Sequence, residues 1–298
     1  MNIRVYIKLA LSAFFWGGSA IAGKYALQVY SPSFVTFFRF FIAALIMFII
    51  VRRDHASLRL DTRNHLQLFI IASAGVSMCY YFYFNGLYHS SAFNAGIIEA
   101  TIPLLTLLFA ALCKMERIML YQLFGLTIAY VGVGLTITNG SWKVIKEASY
   151  NIGDIMLLIS TVCFGVYNVL TKRWQIKIPG MVFMFYFFFY GSIALFPWFF
   201  NGQKESFSTD INMLSLAWVA ILFMSLGGSV IAYLFFNQGI AEIGASRAAS
   251  FINLVPFITV FLSVIVLRER SELFQWMGAA IILAGVFIAN KNPKNDIV

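Results

Sequence analysis

Three charged side chains stand inside runs of apolar residues: Lys24 in "SAIAGKYALQV", Arg39 in "FVTFFRFFIAAL" and Glu99 in "NAGIIEATIPLL". A charge held in lipid is costly unless it pairs, meets water or takes a ligand, so each is a candidate for function. Glu99 lies about six residues into its run, roughly 9 Å from one end at 1.5 Å per helical residue. Arg39 lies at a similar depth in another run, and equal depth predicts that the two pair. Two uses of that acid stay open: an ion pair between helices, or a carboxylate that binds substrate or a proton. Burial and a neighbouring guanidinium act on carboxyl protonation in opposite senses, so their balance decides whether Glu99 cycles a proton near neutral pH. Lys24 is nearer the end of its run, where it snorkels to the interface or touches substrate.

Pro103 follows Glu99 by four residues. Proline has no N–H, so the carbonyl of Glu99 loses its helical partner and the helix is expected to kink or break there. Pro256 does the same to the carbonyl of Ile252.

Polar and aromatic groups suited to a small amphipathic ligand occur at comparable depth. They are Trp16, Tyr80, Tyr83 and Asn85 in the first half, and Tyr167, Asn168, Asn237 and Asn253 in the second. Helix–helix hydrogen bonding is the competing use of the amides. The three histidines, His55, His65 and His89, are scattered, and Cys79, Cys113 and Cys163 form no metal-ligand or disulfide pattern. No metal site and no cofactor are expected.

The elements that must position these residues are membrane helices. The chain has 298 residues, 61% of them hydrophobic and 11% charged, with a mean hydropathy of +0.83. Soluble domains carry about 25% charged residues. Apolar runs of about 20 residues recur along the whole length. They predict ten helices, at 6–28, 33–51, 66–88, 93–113, 119–138, 152–171, 180–200, 215–238, 245–267 and 272–290. The first reads as a retained helix and not a signal peptide. Ten crossings put both termini on one side. Lys and Arg number fourteen on that side and six on the other, which predicts cytoplasmic termini in an inner (plasma) membrane. The net charge of +9 is absorbed by this bias and not by nucleic acid.

The ten helices are two sets of five. Displaced by 153 residues, "NAGIIEATIPLLTLLFAALCKMERIMLYQLFGLTIAYVGVG" lies on "RAASFINLVPFITVFLSVIVLRERSELFQWMGAAIILAGVF" without a gap. Pro103 pairs with Pro256, Thr106 with Thr259, Glu116 with Glu269, Gly125 with Gly278 and Gly132 with Gly285; upstream, Gly75 pairs with Gly228 and Tyr80 with Tyr233. The first helices match at a displacement of 148, which pairs Gly17 with Gly165. Five is odd, so the second set enters the membrane inverted. The expected fold is all-α integral membrane: two inverted five-helix repeats, 1–140 and 141–298, around a central cavity. Inverted repeats about a midplane site are a transporter pattern. Glu99 falls opposite Ile252, so the acid makes the halves chemically unequal.

At "FFWGGSAIAGKYAL", "SPSFVTFFRFFIAAL", the paired P-x12-E-R and "GDIMLLISTVCFGVYNVLTKR", the chain resembles the EamA-type branch of the drug/metabolite transporter superfamily. The resemblance implies a ten-helix exporter of amino acids or related small metabolites working by alternating access, with protons as candidate coupling ion. Its partners would be a small-molecule substrate and membrane lipids, with no obligatory protein partner. Drugs or other metabolites are the alternative cargo. A lipid-modifying enzyme or a channel is the alternative class, but the scattered histidines and single mid-span acid suit an enzyme poorly. GxxxxGK[ST] is absent from the sequence, which disfavours ATP-driven transport by this chain alone.

Overall fold

The computed structural model describes residues 3–115, 119–141, 143, 150–201, 211–243, 251–252 and 254–290. The described residues contain ten long helical segments. We number them α1 (Ile3–Ala26), α2 (Pro32–Arg53), α3 (Thr62–His89), α4 (Ala92–Leu112), α5 (Leu120–Thr138), α6 (Ile152–Trp174), α7 (Gly180–Asn201), α8 (211–243), α9 (Leu254–Ile265) and α10 (Leu273–Asn290). Eight contain a stretch long and apolar enough to span a bilayer; α9 and α10 are shorter apolar helices. The face on which α1 starts is called the near face, the other the far face.

Local chemistry sets the helix limits. Ser31 accepts the N–H of Phe34 at 3.3 Å and Pro32 occupies the first helical turn of α2. Ser91 accepts the N–H of Asn94 at 2.9 Å to start α4, and Asn151 accepts that of Gly153 at 2.8 Å to start α6. α5 and α6 end on left-handed residues, Asn139 (φ 50°) and Gln175 (φ 43°).

Two features interrupt helical regularity at matched places. α3 carries a π turn at Ser73–Met78 and α8 one at Met224–Ile231, around the paired glycines Gly75 and Gly228. Hydropathy gave no sign of these. α4 breaks outright: Ala92–Glu99 stops, Ala100 and Thr101 turn, and Ile102–Leu112 restarts with Pro103 in its first turn. In the second half, residues 251–252 turn directly before α9, whose first turn holds Pro256.

The halves are related across the molecule, not side by side. α1 crosses the π turn of α8, and its counterpart α6 crosses the π turn of α3. A Cβ on Gly228 would stand 3.4 Å from the Cβ of Ser19, and one on Gly75 only 2.5 Å from the ring of Tyr167. α5 and α10 meet along a seam of the paired glycines. A Cβ on Gly278 would lie 2.8 Å from the carbonyl oxygen of Gly132, and one on Gly285 only 2.5 Å from that of Gly125. Large apolar side chains such as Leu120 and Phe287 cover the outer surface, 84% and 74% exposed, as lipid-facing positions require.

Candidate functional site

The centre is assembled from both halves. α2 supplies Arg39, α3 supplies Tyr80 and Tyr83, the break in α4 supplies Glu99, and α1 supplies Trp16 and Ser19. From the second half, the π turn of α8 and the turn after it supply Ser229 and Tyr233. Arg39 is 2% exposed. Its Nε donates to Ser229 Oγ at 3.2 Å, and its guanidinium lies 4.8 Å from the ring of Tyr80, 5.1 Å from Phe40 and 5.9 Å from Phe84. These cation–π contacts and one hydrogen bond hold the charge between the halves. Trp16 packs edge-on against Tyr233 and Phe236, both at 5.3 Å. Tyr80 packs against Tyr83 at 5.9 Å.

Glu99 is half-buried at the C-terminal end of the first piece of α4. Glu99 and Arg39 share an electrostatic neighbourhood that includes Tyr80 and Tyr83. They do not form the ion pair expected from depth: among the described residues no carboxylate oxygen lies within 4.0 Å of Arg39, and no hydrogen bond reaches Glu99. Depth fixes position along the membrane normal but not direction around the helix. Arg39 is turned instead towards α3 and α8.

Lys24 is also placed differently from expectation. It does not snorkel outwards: it is half-buried and its Nζ donates to the carbonyl of Ser90, the residue that ends α3. There it joins a polar network at the far face. Ser90 Oγ donates to Asp154 Oδ1, and Asn94 Nδ2 donates to Asp154 Oδ1 and Oδ2 at 3.1 and 3.2 Å. Gln275 Nε2 donates to Asn94 Oδ1 at 2.9 Å. Glu269 accepts the N–H groups of Ala92 and Phe93 at 2.9 and 3.0 Å, and so caps the positive end of α4. Lys24, Ser90 and Asn94 belong to the first half, and Asp154, Glu269 and Gln275 to the second. The network therefore ties one half to the other. Asp154, 2% exposed, is a buried carboxylate whose hydrogen bonds offset its desolvation.

Of the remaining expected site residues, Asn168 donates to Thr106 at 3.0 Å, and both line a cavity of about 240 Å³ between α4, α5 and α6 towards the near face. Pro103, Gln122 and Lys172 line it too. Asn85 bonds the carbonyl of Tyr81 on its own helix at 2.7 Å. Tyr167 packs on Phe187 at 5.0 Å over the π turn of α3. Asn237 is exposed and contacts the sulfur of Met184 at 3.5 Å. Asn253 lies outside the described residues, as do Glu116 and Arg117. Among the described residues no three His, Cys, Asp or Glu are grouped to hold a metal.

Tyr233, Asp154, Asn94 and Glu269 were not picked out from sequence. Tyr233 and Glu269 were signalled by the repeat, as partners of Tyr80 and Glu116. Asp154 and Asn94 each look like an ordinary residue at a helix start, and only the fold joins them.

The model of the EamA-like transporter family matches residues 3–138 and 151–291, once for each half. An uncharacterized transporter, YyaM, of Bacillus subtilis (strain 168) is 32% identical over 97% of this chain and 94% of its own length. An uncharacterized transporter of Archaeoglobus fulgidus is 26% identical over 97% and 98%. A solved crystal structure covers all of both chains with a TM-score of 0.68 at 17% identity, a likeness of fold alone. Family and relatives are transporters, which sets the lipid-modifying enzyme aside.

Proposed function

Because the chain belongs to the EamA-like transporter family and is a multi-pass membrane transporter, we propose that it exports amino acids or related small metabolites across the plasma membrane by alternating access. The halves 1–140 and 141–298 are the moving units, and the termini are cytoplasmic. The observation that carries this reading is the pairing of a centre built from both halves with a polar network that ties the same halves together at the far face. Arg39 of one half meets Ser229 of the other, while Lys24, Asp154 and Glu269 knit the far ends of the same halves. Breaking the far network and forming its equivalent at the near face exchanges the side to which the centre opens. Trp16, Tyr80, Tyr83 and Tyr233 are the cavity lining, and the break at Pro103 and the turn before Pro256 are the hinges. Tyr167, Asn168 and Asn237 contribute through neighbouring helix contacts and the near-face cavity. Glu99 is the proton-coupling carboxylate: half-buried and without a hydrogen-bond or ion-pair partner among the described residues, it exchanges a proton as the halves move.

The test is flux into and out of liposomes containing the purified chain. Labelled amino acids and metabolites are offered with and without a pH gradient. Saturable counterflow that a pH gradient drives uphill supports the reading, and Glu99→Gln is expected to keep counterflow while losing the pH drive. PH-driven accumulation that survives in Glu99→Gln removes the coupling role. Counterflow confined to solutes other than amino acids removes the amino-acid assignment.

A further inference from the structure

Arg39, 2% exposed, makes a single hydrogen bond among the described residues, from Nε to Ser229. A guanidinium carries five N–H donors, and the four on Nη1 and Nη2 have no acceptor among the described residues. No carboxylate stands within 4.0 Å of it among those residues. Buried cations are normally paired or fully hydrogen-bonded because desolvation is expensive. The rings of Tyr80, Phe40 and Phe84 engage the guanidinium and offset part of that cost, but rings accept no in-plane N–H. Gly228 lets the backbone of the second half come close to the fork: a Cβ there would sit 3.3 Å from Nη2 and would collide with Ser19 Oγ, so the missing side chain makes room for both Arg39 and Ser19. An arginine that merely held helices together would be expected to spend its fork on backbone carbonyls.

We propose that Arg39 is the anion subsite of the transport centre, receiving the carboxylate of the substrate on its Nη groups. The planar fork matches a carboxylate, with two parallel N–H···O bonds. Ser229 is a positioning residue, holding Nε from the opposite half. Glu99 stands in the same neighbourhood, and among the described residues no hydrogen bond reaches its carboxyl group. Guanidinium and carboxylate together match a ligand with one carboxylate and one ammonium group. A dianionic phosphate ester would set excess negative charge against Glu99. The aromatic walls of Trp16, Tyr80 and Tyr233 take an apolar side chain. The chemical class is therefore a zwitterionic amino acid, bound carboxylate to Arg39. This assignment rests on the transport reading of the same centre and adds the residue and the group it recognises.

The experiment uses the full chain in liposomes, with counterflow of a labelled amino-acid mixture. Competitors come in matched sets: each amino acid, its amide, the amine lacking the carboxyl group, and the N-acetyl acid. In parallel, the thermostability of the detergent-solubilised protein is followed with the same compounds and with inorganic phosphate. In the unaltered protein, the acids are expected to compete at least about tenfold better than their amides and amines, as loss of a charge-assisted hydrogen bond implies. Arg39→Gln is expected to erase that difference, and Arg39→Lys to restore part of it. Ser229→Ala is expected to reduce it by about threefold, because Nε loses its guide and the fork its fixed orientation.

Amides that compete as well as acids overturn the assignment, as does an Arg39→Gln protein that folds and still prefers acids. If neither Arg39 variant folds, the matched competitors on the unaltered chain decide. N-acetyl acids that compete while free amino acids do not leave Arg39 as the anion subsite and sink the amino-acid reading. Amino acids that compete equally with their amides do the reverse. Stabilisation by phosphate without any by carboxylates, or no carboxylate-dependent effect anywhere in the set, rejects the proposal.

Discussion

Glu269 offers the sharpest test of the far-face closure. Its two carboxylate oxygens take the N–H groups of Ala92 and Phe93 at 2.9 and 3.0 Å, from across the boundary between halves. Hydrogen bonds to a charged group contribute about 1.5–3 kcal/mol each, and a neutral acceptor about 1 kcal/mol. A carboxylate at a helix N-terminus adds about 0.3–1 kcal/mol. Glu269→Gln keeps one neutral acceptor and loses the charge. Discounted for the half-exposed position of Glu269, the loss is about 2 kcal/mol, or roughly 30-fold in the closed-to-open equilibrium of that face. Hydrogen–deuterium exchange on peptides covering 90–98 reads this directly. The amides of Ala92 and Phe93 are expected to exchange about 30-fold faster, while those of Ile97 and Ile98 in the same half-helix keep their rate. Unchanged exchange at Ala92 and Phe93 refutes the capping argument. A uniform rise along the segment refutes the gate and points to melting of the half-helix instead.

Asp154→Asn puts an amide where a carboxylate takes hydrogen bonds from Ser90 and Asn94. It should cost about 2 kcal/mol, seen as a lower unfolding temperature and faster exchange at the start of α6. Gly132→Ala and Gly134→Ala form a matched pair on one helix. A Cβ on Gly132 meets the carbonyl of Gly278 at 2.8 Å, whereas on Gly134 nothing lies within 4 Å. The first should lower thermostability by about 1–3 kcal/mol and the second should leave it level or raise it; equal effects would contradict the seam. Lys24→Met removes the donor to the Ser90 carbonyl while keeping the alkyl stem. Thiol or solvent probes at the far face should gain access, and unchanged access would mean that the lysine is dispensable to closure.

Much of this architecture is legible in the sequence because lipid imposes a strict pattern. Ten apolar runs predict ten helices, and the 153-residue displacement pairs Gly132 with Gly285 and Gly125 with Gly278, the residues that later meet across α5 and α10. Pro103 marks the break in α4 for a covalent reason, its missing N–H. The π turns are invisible to hydropathy, since an extra residue per turn changes neither composition nor length measurably. The far-face network was hidden for a different reason. Asn94, Asp154 and Gln275 are 60 and 121 residues apart along the chain, and none has an unusual local context. For Arg39 and Glu99 the sequence supplied depth but not azimuth, so it brought them to one neighbourhood and misjudged the contact.

The inequality of Glu99 and Ile252 has a consequence for energetics. A two-fold arrangement with an acid on each half would offer two exchangeable protons per turnover. In the proposed cycle Glu99 alone serves both orientations, so coupling through it is limited to a stoichiometry of one. Exchange of one entering proton for one departing zwitterion then moves a unit of charge. Each 100 mV of membrane potential supplies about 2.3 kcal/mol to that cycle, roughly a 50-fold gradient, even with no difference in pH. Potassium–valinomycin potentials imposed on the liposomes should therefore drive export electrogenically, and a flux indifferent to voltage would exclude one-for-one exchange.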